Sequence, residues 1–181
     1  MEYIDSFITK SSKEIKFRYP TINDAQILMD YINKLSTEQS FILFQGHQQT
    51  LKAETKWLKE KIKETKSNKG VYLCAFNGNQ LVGCGEITLG NNAKSHVGDF
   101  GISVTFDFRG EGIGQKLMEL IISESIKKLS GLKIITLEVF GENKIAQSLY
   151  KKMGFIKFGC LPKSLERKGK MDDAILMYKK V

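Results

Sequence analysis

"FDFRGEGIGQKLM", residues 106–118, sets an arginine before three alternate glycines, Gly110, Gly112 and Gly114, and then opens an apolar repeat. With no side chains at those positions, successive backbone amides can turn toward one concavity. The repeat that follows, Ile113, Leu117, Leu120, Ile121 and Leu129, has helical spacing and predicts a helix over 112–129 that Gly131 ends. The free N–H groups of that helix's first turn face the same concavity, which therefore suits an anion such as a phosphate. The lysine and hydroxyl of a nucleotide-hydrolysing loop are missing, and Gln115 stands where a dinucleotide fingerprint needs its third glycine. Taken alone, the glycines equally suit a tight strand-to-helix turn.

On either side of this loop the chain reads as alternating strands and helices. Upstream, 15–19 alternates as a strand, and Thr21, Asn23 and Asp24 offer caps for a helix to about Leu35. Thr50 caps a second helix over 51–66. Residues 71–76 and 81–89, joined at Asn77-Gly78-Asn79, predict a hairpin, and 97–105 a further strand. Downstream, 133–140 is a nearly continuous apolar run, predicting a central strand covered on both faces and interrupted by Glu138. Asn143 caps a helix to Met153, Gly154 ends it, and 155–161 and 174–180 supply two last strands. Both prolines, Pro20 and Pro162, are placed at strand ends. The order is that of a mixed α/β protein.

Composition narrows the classes. The 181 residues, 41% apolar and 27% charged, suit one globular domain over 1–181. No apolar run approaches the roughly 20 residues of a membrane span, and the first residues lack the basic-then-apolar pattern of a signal peptide, which predicts a cytoplasmic protein off the membrane. Cys74, Cys84 and Cys160 form no CxxC pair and read as reduced, buried thiols; His47 and His96 stand apart, so no metal is expected. The net charge of +8 comes largely from lysines interleaved with glutamates, as on a solvated helix face, and no nucleic-acid-binding motif accompanies it.

Two segments together carry a resemblance. Arg109-Gly110-Glu111-Gly112-Ile113-Gly114 is similar to the R/Q-x-x-G-x-G/A signature of the GNAT N-acetyltransferase family, and Asn143, Ala146, Tyr150, Gly154 and Phe155 in "NKIAQSLYKKMGF" resemble its N-x-x-A-x-x-x-Y-x-x-x-G-F segment. "YPTINDAQILMDYI" looks like that family's first strand and helix, "GISV" like its fourth strand, and "FGCLPKSLERKGKMDDAILM" like the ending of its ribosomal-protein and polyamine acetyltransferases. The resemblance implies a mixed, mostly antiparallel central sheet flanked by helices. It implies acetyl-CoA as co-substrate, a small-molecule or peptide amine as acceptor, and direct transfer from thioester to amine. Dimers are common in that family, so a homodimer is among its implications.

Residue by residue, the resemblance gives the pantetheine arm to Ile102, Ser103 and Val104, with the Val104 amide on the thioester carbonyl. The pyrophosphate falls to Arg109, Gly110, Glu111, Gly112, Ile113, Gly114 and Gln115. Seven residues apart on one helix, Asn143 and Tyr150 can face one cleft, the first positioning the arm and the second protonating the departing thiolate. Their plainer readings are a helix cap and a core aromatic. An amine with a reference pKa of about 10.4 must lose a proton before it attacks. Glu138, Asp99 and Glu86 are the candidate bases, each working through a water. Glu138 stands first, because a carboxylate in an otherwise apolar strand is expected to have a raised pKa and a matching glutamate is the base in some family members. A module that binds CoA or a partner without catalysis is the alternative reading.

Overall fold

The computed structural model describes residues 2–38 and 40–181. In chain order its elements are β1 (Asp5–Ile8), β2 (Glu14–Arg18), α1 (Ala25–Glu38), α2 (Leu51–Lys66), β3 (Gly70–Asn77), β4 (Gln80–Leu89) and β5 (Val97–Val104). They continue with α3 (Ile113–Lys128), β6 (Ile134–Phe140), α4 (Lys144–Lys152), β7 (Ile156–Arg167) and β8 (Lys170–Lys180). The strands form one sheet in the order β1-β2-β3-β4-β5-β6-β8-β7, antiparallel throughout except for the β5–β6 pair. This is the mixed, mostly antiparallel sheet expected.

Strand periodicity divides the core in two. On β3, Val71, Leu73 and Ala75 pack with Ile113, Leu117 and Ile121 of α3, while Tyr72, Cys74 and Phe76 pack with Leu28, Tyr31 and Leu35 of α1 and Leu58 of α2. The strand covered on both faces is therefore β3, buried from Gly70 to Phe76, and not β6 as expected. Helices α1 and α2 lie over β3 and β4, which leaves the same face of β6 without a helix: Ile134 and Thr136 are half-buried and Glu138 is exposed, and only Phe140 at the strand's end is buried.

Local chemistry explains most element ends. Thr50 Oγ1 accepts from the Ala53 amide at 3.2 Å, and Asn143 Oδ1 from the Ala146 amide at 3.2 Å, each capping its helix. Between β3 and β4, the positive φ falls on Gly78 alone, as in a type II′ turn. At the start of α1 a buried ion pair joins Arg18 to Asp24 through two 2.7 Å bonds.

Three expectations are corrected. The strand β1 precedes 15–19, where the sequence reading placed its first strand; it pairs with β2 and sends Phe7 onto the glycine loop. Pro162 lies inside β7, not at a strand end, in a bulge between Leu161 and Leu165 of an edge strand, where its missing N–H breaks no ladder bond. Of the three free thiols only Cys74 is buried; Cys84 is half-buried, and Cys160 is exposed on β7.

Candidate active site

Strands β5 and β6 run parallel but pair only from Val97–Ile134 to Asp99–Thr136. Beyond that point β5 stays with β4 as far as Val104, and β6 stays with β8 as far as Phe140, so a cleft opens between them. The Thr105 amide donates to the Val82 carbonyl at 3.0 Å. Backbone groups alternate along a strand, so the Ser103 amide also faces β4, and those of Ile102 and Val104 face the cleft. The Val104 carbonyl accepts from Arg109 Nε at 2.9 Å, which leaves the Val104 N–H as the group turned into the opening. Ser103 supports the wall instead: its hydroxyl bonds the Tyr31 hydroxyl at 2.9 Å, under α1.

The glycine loop stands at the same end of β5. Gly110 and Gly112 have φ of +78° and +86°, values that an L side chain seldom adopts. Gly112 is the N-cap of α3, and no side chain caps the helix; the first bond back to it, Lys116 N–H to Gly112 O, is 3.1 Å. The amides of Ile113, Gly114 and Gln115 are thus left free at the helix head. A Cβ on Gly114 would sit 3.8 Å from Val104 Cγ2, which fixes how near the helix head comes to the cleft.

The side chains of this loop are occupied elsewhere. Glu111 accepts from the Ser11 amide at 3.1 Å, and Arg109 Nη2 donates to Glu38 at 2.7 Å, so at Glu111 only the backbone faces the concavity. Arg109 holds the loop to the end of α1. A cation the sequence reading did not select, Lys152 in the last turn of α4, reaches Gln115 Oε1 at 3.0 Å.

Tyr150 lies on the α3–α4 side of the sheet, 8% exposed, edge-on to Phe100 and against Phe155, with ring centroids 6.2 and 6.1 Å away. Burial pushes its phenol up to about 12. Asn143 is engaged through Oδ1 as the cap of α4, leaving its Nδ2 to face other groups.

The three acids gather on the opposite face. The register sets Thr88 beside Asp99 and Asp99 beside Thr136, so Glu86, Asp99 and Glu138 share one side of neighbouring strands. Glu86 is paired to Lys61 of α2 at 2.7 Å and accepts from Thr88 Oγ1 at 3.2 Å. Glu138 is exposed and not enclosed in the apolar setting expected of it. At Asp99, partial burial, then the charges of Glu86 and Glu138, hold the carboxyl above the ordinary range, with Lys61 opposing. Acids and phenol thus flank the cleft from opposite faces.

The chain is similar to known proteins along most of its length. The profile of the Acetyltransferase (GNAT) family matches residues 30–155. An uncharacterized N-acetyltransferase of Methanocaldococcus jannaschii is 35% identical over 103 residues, which span 55% of this chain but 42% of that protein. Among solved structures, an acetyltransferase of the GNAT family from Streptococcus pneumoniae superposes with a TM-score of 0.84 at 25% identity, covering 92% of this chain and 99% of its own. A ribosomal-protein-alanine N-acetyltransferase from Brucella melitensis gives 0.80 at 20% identity, over 91% and 99% of the two chains. A Salmonella typhimurium acetyltransferase bound to acetyl-CoA gives 0.80 at 14%, over 92% and 93%. At those last two identities the likeness is one of fold.

Proposed function

The chain belongs to the acetyltransferase (GNAT) family, and from that premise we propose that residues 1–181 form one cytoplasmic N-acetyltransferase domain, moving an acetyl group from acetyl-CoA to a primary amine. One observation carries the reading: free amides at the head of α3 and on β5 converge on a single cleft, the donors a diphosphate and a pantetheine arm need. The Salmonella neighbour's acetyl-CoA complex supports the donor, and the Brucella neighbour's name supports a peptide amine beside small amines as acceptor.

In this reading the amides of Ile113, Gly114 and Gln115, with Lys152 nearby, receive the pyrophosphate. Ile102 and Val104 align the arm. The Val104 N–H lies where charge develops on the thioester oxygen, a preorganised donor of the kind that stabilises an oxyanion. Asp99 is the base best fitted to the amine's proton, through a water, because Glu86 is tied to Lys61 while partial burial, and then the charges of Glu86 and Glu138, raise the basicity of Asp99.

Tyr150 donates to the departing sulfur from the other face. A phenol near 12 lies about 3.5 units above a thiol reference of about 8.5, so full transfer to a free thiolate is uphill by about 5 kcal/mol. Its contribution is the hydrogen bond itself, made to a sulfur that is gaining charge. The test is a turnover screen with acetyl-CoA and polyamines, amino acids, aminoglycosides and N-terminal peptides, read by thiol release. Release with at least one class is expected; CoA binding without release from any would make the chain a non-catalytic CoA-binding module.

A further inference from the structure

Two residues three positions apart hold opposite walls of the cleft. Glu38, at the end of α1, accepts from Arg109 Nη2 at 2.7 Å and from the Phe106 amide at 3.3 Å, on the β5 side. Phe41 packs on Phe140, the last residue of β6, with ring centroids 5.7 Å apart. Over the Phe41 ring lies Arg167, where the β7–β8 hairpin turns, its Cζ 4.2 Å from the centroid. Its Nε is buried and has no hydrogen-bond partner among the described residues. The arginine ion pairs of the described residues are Arg18–Asp24 and Arg109–Glu38, so Arg167 has no carboxylate of its own there.

A guanidinium held over an aromatic ring by cation–π attraction keeps its N–H groups, and two of these match the two oxygens of a carboxylate. The ring fixes the direction of that fork. Glu138 and Phe140 are two positions apart on one face of β6, about 7 Å, so this face runs from the acids through Phe140 and Phe41 to Arg167. One end suits a cationic amine and the other an anion.

We propose that Arg167 determines acceptor specificity: it receives a carboxylate that the acceptor carries several bonds from the amine to be acetylated. The inference rests on the acetyl-transfer reading and names its substrate class. Two sources share this chemistry, a free amino acid with a side-chain amine and a peptide with an acidic residue next to its N-terminus.

The experiment compares kcat/KM for matched acceptors, L-lysine against cadaverine and Ala-Glu amide against Ala-Gln amide, after CoA binding by each variant has been measured. The carboxylated member of at least one pair is expected to be favoured tenfold or more. Arg167→Gln should raise KM for that member 10- to 100-fold while leaving its carboxylate-free counterpart and CoA affinity unchanged, and Arg167→Lys should restore part of the loss. An advantage in the lysine pair alone identifies an amino acid, and in the dipeptide pair alone a peptide. No advantage in either pair, or an equal loss for both members in Arg167→Gln, overturns the proposal. If CoA binds and no amine is turned over, the acetyl-transfer reading fails, and calorimetry with Ala-Glu amide decides separately: binding lost in Arg167→Gln upholds the anion site, and no binding by the unaltered protein removes it.

Discussion

Replacing Gly112 by valine tests how CoA is held. Gly112 caps α3 at φ +86° and ψ −7°, and a Cβ there would lie 3.1 Å from Phe7 Cζ. An L side chain in the left-handed region costs about 1–2 kcal/mol. The free protein escapes that cost by turning φ negative, which swings the Ile113 and Gly114 amides off the concavity. Binding must then restore the strained form, so CoA affinity should fall by about 5- to 30-fold at 1.4 kcal/mol per decade. Titration calorimetry with CoA measures the loss, and circular dichroism checks that the helices persist. Gly131, beyond the other end of α3, has φ +95° and open space around its Cβ position, so Gly131→Val carries the same backbone cost away from the loop. Unchanged affinity in Gly112→Val, or an equal loss in Gly131→Val, would refute the amide nest.

Removing the Tyr150 hydroxyl with Tyr150→Phe should lower kcat by about 10- to 100-fold, the worth of a hydrogen bond to a charged group, with CoA affinity retained; an unaltered kcat takes Tyr150 out of the chemistry. The base must be deprotonated to act, so kcat/KM should rise with pH through the Asp99 pKa. Glu138→Gln removes a like charge, lowers that pKa and moves the acid limb to lower pH, whereas a limb that stays in place excludes Asp99. Asp24→Ala leaves Arg18 buried without its counter-ion and should cost about 3–5 kcal/mol in urea unfolding near pH 7. Burial raises the Asp24 carboxyl, but Arg18 and the Thr21 amide outweigh it and hold it below its ordinary value. The Asp24 contribution is therefore present above the unfolded pKa of about 3.9 and lost as pH falls through the lower folded value, so wild type and variant should converge in acid.

What the sequence made legible was local. The glycine loop, the caps at Thr50 and Asn143 and the Gly78 turn are written in neighbouring residues, and each lies where it was expected. The splay of β5 from β6 leaves no mark in composition or periodicity; only the resemblance, which gives Ile102, Ser103 and Val104 to the pantetheine arm, pointed to that place. Glu138 was misjudged because its burial depends on which strands α1 and α2 cover, a property of packing and not of the apolar run around it. The outer half of the β7–β8 hairpin, with Lys163, Ser164, Glu166, Arg167 and Lys170, is mostly polar, so no apolar alternation marks it as strand. Lys152 and Arg167 gain their settings from residues 37 and 126 positions away, Gln115 and Phe41, which no local pattern reports.

The account turns on which backbone amides meet the cofactor, and amide-resolved NMR reads this directly. Titrating CoA into ¹⁵N-labelled protein should move the resonances of Ile102, Val104, Ile113, Gly114 and Gln115 most, with the first-turn amides of α3 shifting downfield as they donate to phosphate. Saturating CoA that leaves those five in place, or perturbs only residues away from the cleft, would contradict it.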